Sequence, residues 1–239
     1  MTNQIAARRF QRKNTKRFII TISTGAISLC MGYFLWKFLT GFIEFLVAGF
    51  ILASALFYIS NIYLCKANIW RLGAEGEEKI ARELNKLRNY RVFHDISLYD
   101  NFGIKSNIDH IVIGKNGVFM IETKNHKGTI SCNRDEWKQE KVGRLGTPYL
   151  GEIKNPSKQV KRNTILLKGF IENTTRKKVK YWINCVLVFT NEEAVLNISN
   201  PTVPVLRAEE LNDFILNFRP QRNFTQEETE ELGGIISKM

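Results

Sequence analysis

Two long apolar segments dominate the first quarter of the chain. Phe18–Leu39 contains one charge, Lys37, and Phe45–Leu64 contains none. Each reaches the roughly 20 residues that a helix needs to cross a bilayer. A cleaved signal peptide and a buried soluble hairpin are the alternatives, but the first segment is too long for a signal peptide. Helices that are apolar on all faces also rarely suit a small domain. The pattern predicts two transmembrane helices within residues 18–65, at about 18–39 and 45–64, joined by a short turn at residues 40–41.

Basic residues flank these segments on one side. Residues 1–17 contain six Lys or Arg and no acid, and Lys66 and Arg71 follow the second segment. Because positively charged flanks stay in the cytoplasm, we expect a multi-pass protein of the cell membrane whose termini and soluble domain are cytoplasmic. Residues 1–17 lack apolar periodicity, so this basic arm is expected to be disordered or bound to the anionic membrane surface.

After a linker at residues 66–73, the pattern becomes that of a soluble domain. Ile80, Leu84 and Leu87 recur at helical spacing and predict a helix over about 74–89. The Asn116-Gly117 step predicts a hairpin turn between two short apolar strands. The predicted strands are Tyr90–Leu98, the two halves of Asn107–Lys124, Gly128–Cys132, Trp182–Phe189 and Pro201–Leu206.

Local signals also predict the remaining helices and loops. Asn155-Pro156 begins a helix that continues to about residue 173. A helix is expected over Glu209–Phe218, and another from Thr225, with Glu228 in capping-box position. Residues 99–106 and 133–153 are expected to be loops. The order helix, strands, helix, strand predicts an α/β domain with a central mixed sheet, followed by a strand and helical extension at residues 191–239.

Composition limits the partners and cofactors. The chain of 239 residues has a formal net charge of +12 and a pI of about 9.6, which favours an anionic partner such as nucleic acid or lipid. Its four cysteines form no Cys-x-x-Cys pair, so we expect reduced cysteines rather than a zinc site or disulfide framework. No Walker A or Gly-x-Gly-x-x-Gly motif is present, so neither nucleotide hydrolysis nor a small-molecule cofactor is indicated.

Charged side chains stand at the ends of the two central strands. Asp109 opens the first, and Glu122-Thr123-Lys124 closes the second. Because strand side chains alternate, Glu122 and Lys124 project from the same face. Two converging carboxylates repel each other, and a divalent cation relieves that repulsion. A lysine beside them could hold a water or steady a developing negative charge. A turn-capping Asp109 and a plain Glu122–Lys124 ion pair at an exposed edge are the structural alternatives.

These residues belong to a longer series that resembles the nuclease-related domain (NERD) family. The series is Gly76-Glu77, Asn107-Ile108-Asp109-His110, Glu122-Thr123-Lys124 with Gly128, and Asn155-Pro156 with Gln159. The resemblance covers roughly residues 73–190 and implies a domain at 74–190. It also implies the restriction-endonuclease-like core of the PD-(D/E)xK nuclease superfamily, with helix, mixed central sheet, helix and strand.

The resemblance assigns a role to each polar position. It implies that Asp109 and Glu122 bind Mg²⁺ or Mn²⁺ and that Glu77 completes or supports that metal site. Lys124 would position the attacking water, and Gln159 would orient the site or a phosphate. In one departure, Asn163 stands where related exonuclease-like families often have tyrosine, which weakens any inference to cleavage from an end.

Basic residues near the predicted site could bind a phosphate backbone. The candidates are Lys154, Lys158, Lys161, Arg162, Lys177 and Lys178. His126 is a further candidate substrate contact. A solvated basic face and attraction to the anionic inner leaflet are alternative explanations of the same charges.

Three functions fit the sequence. The leading one is a membrane-anchored, metal-dependent nuclease that acts on DNA or RNA. The second is a non-catalytic module that holds nucleic acid or a protein at the membrane. The third is a membrane scaffold for other proteins, and closely packed hairpins are compatible with an oligomer.

Overall fold

The computed structural model describes residues 2–37, 42–99, 103, 105–143 and 145–239. The chain divides into two compact units, residues 1–74 and residues 75–239. The turn predicted at residues 40–41 and part of the loop predicted at residues 99–106 lie outside the described residues. The first unit contains the apolar segments, and the second contains the α/β domain.

Two long helices, α1 (Thr2–Lys37) and α2 (Phe42–Leu84), contain the apolar segments. Their stretches Lys13–Lys37 and Phe45–Leu84 are long and apolar enough to cross a membrane. Where the helices pack, a Cβ at Gly25 would lie only 2.8 Å from Leu56 Cδ1. Glycine at that position therefore allows the two helices to approach closely.

Both helices extend further than the hydrophobic pattern predicts. The sequence predicts a disordered or membrane-surface-bound arm at residues 1–17 and a linker at residues 66–73. In the structure, α1 begins at Thr2 and α2 continues to Leu84, so both segments are helical from residue 2 on. Gly73 is the one glycine in these two segments, and neither contains a proline. Extending an existing helix costs less than nucleating one, so each helix continues through polar sequence.

The second unit begins with the end of α2 and continues with strands. In chain order these are β1 (Arg91–Tyr99), β2 (Lys105–Gly114), β3 (Gly117–Lys124), β4 (Gly128–Asn133), β5 (Glu136–Val142), β6 (Pro148–Gly151), β7 (Ile183–Phe189), β8 (Ala194–Ser199) and β9 (Val205–Arg207). The helices that follow α2 are α3 (Pro156–Thr175), α4 (Leu211–Asn217) and α5 (Gln226–Ile236).

The larger sheet is the predicted mixed sheet. Its strand order is β1-β2-β3-β7-β9, with antiparallel pairing from β1 to β3 and parallel pairing from β3 to β9. Gly114 pairs with Gly117 across the predicted hairpin turn. The helix α3 lies between β3 and β7 in the chain and packs on both. The C-terminal end of β3 therefore comes next to the N-terminal turns of α3.

A second sheet, in the order β6-β5-β4-β8, was not predicted. Residues 133–153 were expected to be a loop, whereas β5 and β6 lie within them. The reason is that β5 is mostly polar, with Gln139 buried and Trp137 half-buried between charged neighbours. Such a strand has no apolar run, and only its pairing with β4 and β6 identifies it.

The larger sheet separates two apolar cores. On one face, Met120 of β3 packs with Val160 and Leu167 of α3 and with residues of α5. On the other face, Phe119 of β3 packs with Ile80 of α2 and with residues of α4. Because β3 supplies both cores, its position is fixed from both sides, and so are the side chains at its end.

Gly76 on α2 allows that helix to approach the ends of β3 and β7. A Cβ there would lie 2.7 Å from Thr190 Oγ1 and 3.0 Å from Asn125 Cβ, and Thr190 is buried. We expect Gly76→Ala to destabilise the protein by about 1–3 kcal/mol, as overpacking does, measured as a lower midpoint of urea unfolding.

Gly169→Ala is the matched control, because a Cβ at Gly169 on α3 would meet nothing within 4 Å. That change should stabilise the protein by about 0.5–1 kcal/mol through helix propensity. Equal stabilisation by both substitutions would show that α2 does not approach Thr190 as closely as described.

Candidate active site

Glu122 and Lys124 share one face of the sheet at the end of β3. Glu122 is 2% exposed, and the Lys124 Nζ donates a hydrogen bond to Glu122 Oε1 at 2.6 Å. Burial raises the pKa of Glu122, although the positive charges of Lys124 and Arg162 act in the opposite direction. The pair is thus a buried ion pair rather than the exposed edge pair of the structural alternative.

Gln159 closes a triangle with these two residues. Asn155 caps α3 by accepting a hydrogen bond from the Lys158 backbone N at 2.9 Å, which places Gln159 in the first turn of the helix. The Gln159 Nε2 donates to Glu122 Oε1 at 2.5 Å, and Lys124 Nζ donates to Gln159 Oε1 at 3.1 Å. The predicted catalytic residues of β3 and α3 therefore meet.

Asp109 lies beside this triangle on the neighbouring strand. Its Oδ2 accepts a hydrogen bond from the backbone N of Thr123, the residue between Glu122 and Lys124, at 2.7 Å. Burial raises the pKa of Asp109 well above its usual range, and the nearby carboxylates of Glu122 and Glu77 raise it further. The hydrogen bond from Thr123 only partly offsets these effects.

Glu77 reaches the same group of acids from α2. Burial of its carboxyl, followed by the charges of Asp95 and Glu122, raises the pKa of Glu77 to about 7. More than a third of the residue is exposed, so solvent screens these interactions more than at Glu122. Asp95 was missed by sequence reasoning. Asp95 pairs with no residue of β2 and has a φ of 50°, so β1 is irregular at this position. No local sequence signal predicts that irregularity.

The donor set matches an oxygen-preferring divalent cation. The charge of Glu122 raises the pKa of Glu77, and the charges of Glu122 and Glu77 raise that of Asp109; a cation would relieve this repulsion. Within the described part of the chain, however, no group of three or more His, Cys, Asp or Glu side chains is arranged to hold a metal ion. Asp109 and Glu122, with Glu77 in support, are the acids that would hold a cation here.

Of the predicted phosphate-binding residues, one forms an ion pair within the protein and the others are exposed. Lys161 is engaged, because its Nζ donates to the Asp135 carboxylate at 3.0 Å and to Thr202 Oγ1 at 2.6 Å. Arg162 is exposed, lowers the pKa of Glu122, and lies 3.4 Å from Ser106 Oγ. The other four candidates are also exposed, namely Lys154, Lys158, Lys177 and Lys178.

Two further positions from the sequence have distinct surroundings. Asn163, where tyrosine occurs in exonuclease-like families, is buried, and its Nδ2 donates to the Asn107 backbone O at 3.0 Å. It therefore ties α3 to β2. His126 is half-buried, and burial, with the charges of Lys124 and Lys141, lowers its pKa to about 4. His126 is thus neutral at physiological pH beside a cationic part of the site.

Comparison with known proteins places part of the chain in a family. The sequence profile of the nuclease-related domain matches residues 72–190. An uncharacterized protein of Bacillus anthracis is 37% identical over 89 residues, which cover 36% of this chain and 42% of that relative. No solved structure matches the chain. Proteins of the matched family generally have the PD-(D/E)xK fold. Through residues 72–190 the chain belongs to the nuclease-related domain (NERD) family.

Proposed function

We propose that the NERD domain is a divalent-metal-dependent phosphodiester hydrolase that cleaves DNA or RNA. The observation that carries this proposal is the Glu122–Lys124–Gln159 triangle, beside which Asp109 accepts a hydrogen bond from the backbone N of Thr123, the residue between Glu122 and Lys124. Burial of the Glu122 carboxylate costs stability, and acids with perturbed pKa values beside a charged partner mark a candidate functional site.

Hydrolysis replaces one bond to phosphorus by another. The oxygen of a water molecule forms a bond to phosphorus, the bond to the leaving sugar oxygen breaks, the water gives up a proton, and the leaving oxygen takes one. Mg²⁺ or Mn²⁺ bound by Asp109 and Glu122 would supply Lewis-acid stabilisation of the negative charge. Lys124 would hold the attacking water or a phosphate oxygen, since its Nζ has donors besides the bonds to Glu122 and Gln159.

Each remaining residue has a defined task in this scheme. Gln159 fixes the orientation of the Glu122 carboxylate through its 2.5 Å hydrogen bond. Arg162, close enough to Glu122 to lower its pKa, would bind a phosphate oxygen of the substrate backbone. Lys154 and Lys158 would add phosphate contacts near the start of α3.

We further propose that α1 and α2 anchor this domain to the cell membrane. Both contain stretches long and apolar enough to cross it. The six basic residues before the first stretch and Lys66 and Arg71 after the second favour cytoplasmic termini and a cytoplasmic domain.

A non-catalytic binding module is the second candidate. It is favoured by the lack of a three-carboxylate metal cage among the described residues together with the exposed cations on α3. Nucleic-acid binding that is sensitive to salt but not to EDTA would characterise such a module.

Metal removal tests the catalytic proposal. Purified full-length protein in nanodiscs should cleave labelled DNA or RNA with Mg²⁺ or Mn²⁺ and stop when EDTA is added. Asp109→Asn should lower the cleavage rate by about 10²–10⁴-fold, while Asp213→Asn, an exposed acid on α4, should leave it unchanged. Cleavage that persists in EDTA or in Asp109→Asn would reject the proposal, and salt-sensitive binding without cleavage would favour the binding module.

A further inference from the structure

A groove of about 490 Å³ lies at the far end of α3 from the acidic site. Ile171 and Thr175 of α3, the segment that follows this helix, and residues at and before α5 line it. The lining also includes Tyr181 and Phe224, whose ring centroids lie 4.9 Å apart. The volume falls within the usual range for ligand-binding clefts.

The charges around the groove favour an anion. The lining contains four cations, Lys177, Lys178, Lys180 and Arg222, and two acids, Glu228 and Glu231. Arg222 already neutralises Glu228 through an ion pair at 2.9 Å. The three lysines are exposed and therefore remain the dominant charge.

The segment that carries these lysines is held in place by hydrogen bonds. The Glu172 carboxylate accepts a bond from the Val179 backbone N at 2.9 Å, and Thr175 Oγ1 accepts one from the Lys177 backbone N at 3.2 Å. Two hydrogen bonds to α3 therefore fix the backbone of the segment that contains Lys177 and Lys178.

The helix itself sets the distance from the groove to the acidic site. Gln159 and Thr175 are sixteen residues apart on α3, which corresponds to about 24 Å of helix. Arg162 and Lys168 are exposed between them and offer phosphate contacts along the way. This length matches about seven nucleotides of a B-form strand.

Phe224 is buried and Arg222 lies over its ring at 4.9 Å, so the half-buried Tyr181 is the aromatic residue of the groove that a base could contact. Aromatic rings stack on nucleobases without regard to sequence.

We propose that this groove is a second contact for the nucleic-acid substrate. The inference rests on the proposed function and deepens it: the substrate is a strand of at least about seven nucleotides that lies along α3. One end reaches the acidic site, and at the other end a nucleotide places its phosphate at Lys177 and Lys178 and its base against Tyr181.

Length-dependent binding tests this proposal without requiring cleavage. Full-length protein in nanodiscs of neutral phosphatidylcholine is titrated, in EDTA, against fluorescein-labelled DNA and RNA strands of 4 and 12 nucleotides, with anisotropy as the readout. Lys177→Glu/Lys178→Glu should weaken binding of the 12-mer by on the order of tenfold and reduce its salt slope by about 1.4, for two lost single-strand phosphate contacts. The 4-mer, which is too short to reach both places, should change by less than twofold.

Arg82→Glu/Arg88→Glu is the control with the same change of charge, since both arginines are exposed at or after the end of α2, the helix that packs on the opposite face of the sheet. It should alter the 12-mer no more than the 4-mer. An unchanged Kd and salt slope for the 12-mer in Lys177→Glu/Lys178→Glu, or equal losses in both double variants, would overturn the proposal. An acidic peptide is titrated in the same way. If Lys177→Glu/Lys178→Glu weakens binding of the peptide but not of the 12-mer, the proposal is overturned and a protein partner is indicated. Lys177→Ala/Lys178→Ala provides the same comparison if the charge reversal impairs folding.

Discussion

Glu122→Gln should reduce phosphodiester cleavage by about 10²–10⁴-fold, as large a loss as that expected from Asp109→Asn. The substitution keeps the size of the side chain but removes the charge that would bind the cation. It also removes the negative charge that pairs with Lys124 at 2.6 Å. Two functions are therefore lost together, which is why the effect should exceed that of Gln159→Leu.

The measurement is a single-turnover cleavage rate at saturating Mg²⁺, with circular dichroism to show that the fold is retained. Glu209→Gln is the control, because Glu209 is exposed and precedes α4 on the other face of the sheet. An unchanged rate in Glu122→Gln would mean that the ion pair of β3 is structural and that the chemistry occurs elsewhere or not at all.

The second large effect is on stability as a function of pH. The pKa values of Asp109, Glu77 and Glu122 are raised, that of Glu77 to about 7. The folded protein therefore retains protons that the unfolded chain releases above about pH 4.5. Stability from these groups is fully present below that pH and is lost as the pH rises through the raised pKa values. Metal-free protein should thus become less stable between about pH 5 and pH 8.

Histidines contribute in the opposite direction. Burial lowers the pKa values of His110 and His126 to about 3 and about 4, so their contribution is present above about pH 6.5 and lost as the pH falls. Both histidines are present in wild type and in Glu122→Gln, so their contribution cancels when the stabilities of the two proteins are compared. We expect the melting temperature of wild type to fall more steeply with rising pH than that of Glu122→Gln, and added Mg²⁺ to raise it more at pH 8 than at pH 5. Parallel curves, or equal Mg²⁺ effects at both pH values, would contradict this expectation.

The parts of the fold that the sequence predicts are those with strong local signals. The Asn116-Gly117 turn, the apolar β3 and β7, and the start of α3 at Asn155-Pro156 occur where expected. The capping box of α5, with Thr225 and Glu228, is likewise confirmed. In each case a few neighbouring residues determine the conformation.

Other features depend on contacts between distant residues and were missed for that reason. The strand β5 is polar along most of its length, and its register is set by β4 and β6. The engagement of Lys161 by Asp135 depends on the turn between β4 and β5, which places the acid beside α3. Asp95 approaches Glu77 through an irregularity in β1 that has no local sequence signal.

The central claim is that Asp109 and Glu122 together bind one divalent cation, and Mn²⁺ binding tests it most directly. Full-length protein in neutral nanodiscs is titrated with Mn²⁺ at pH 7.5, and free ion is followed by electron paramagnetic resonance. Wild type should bind one ion that Mg²⁺ displaces, and both Asp109→Asn and Glu122→Gln should lose it while Glu209→Gln retains it. The same Mn²⁺ stoichiometry and affinity in all four proteins would contradict the account.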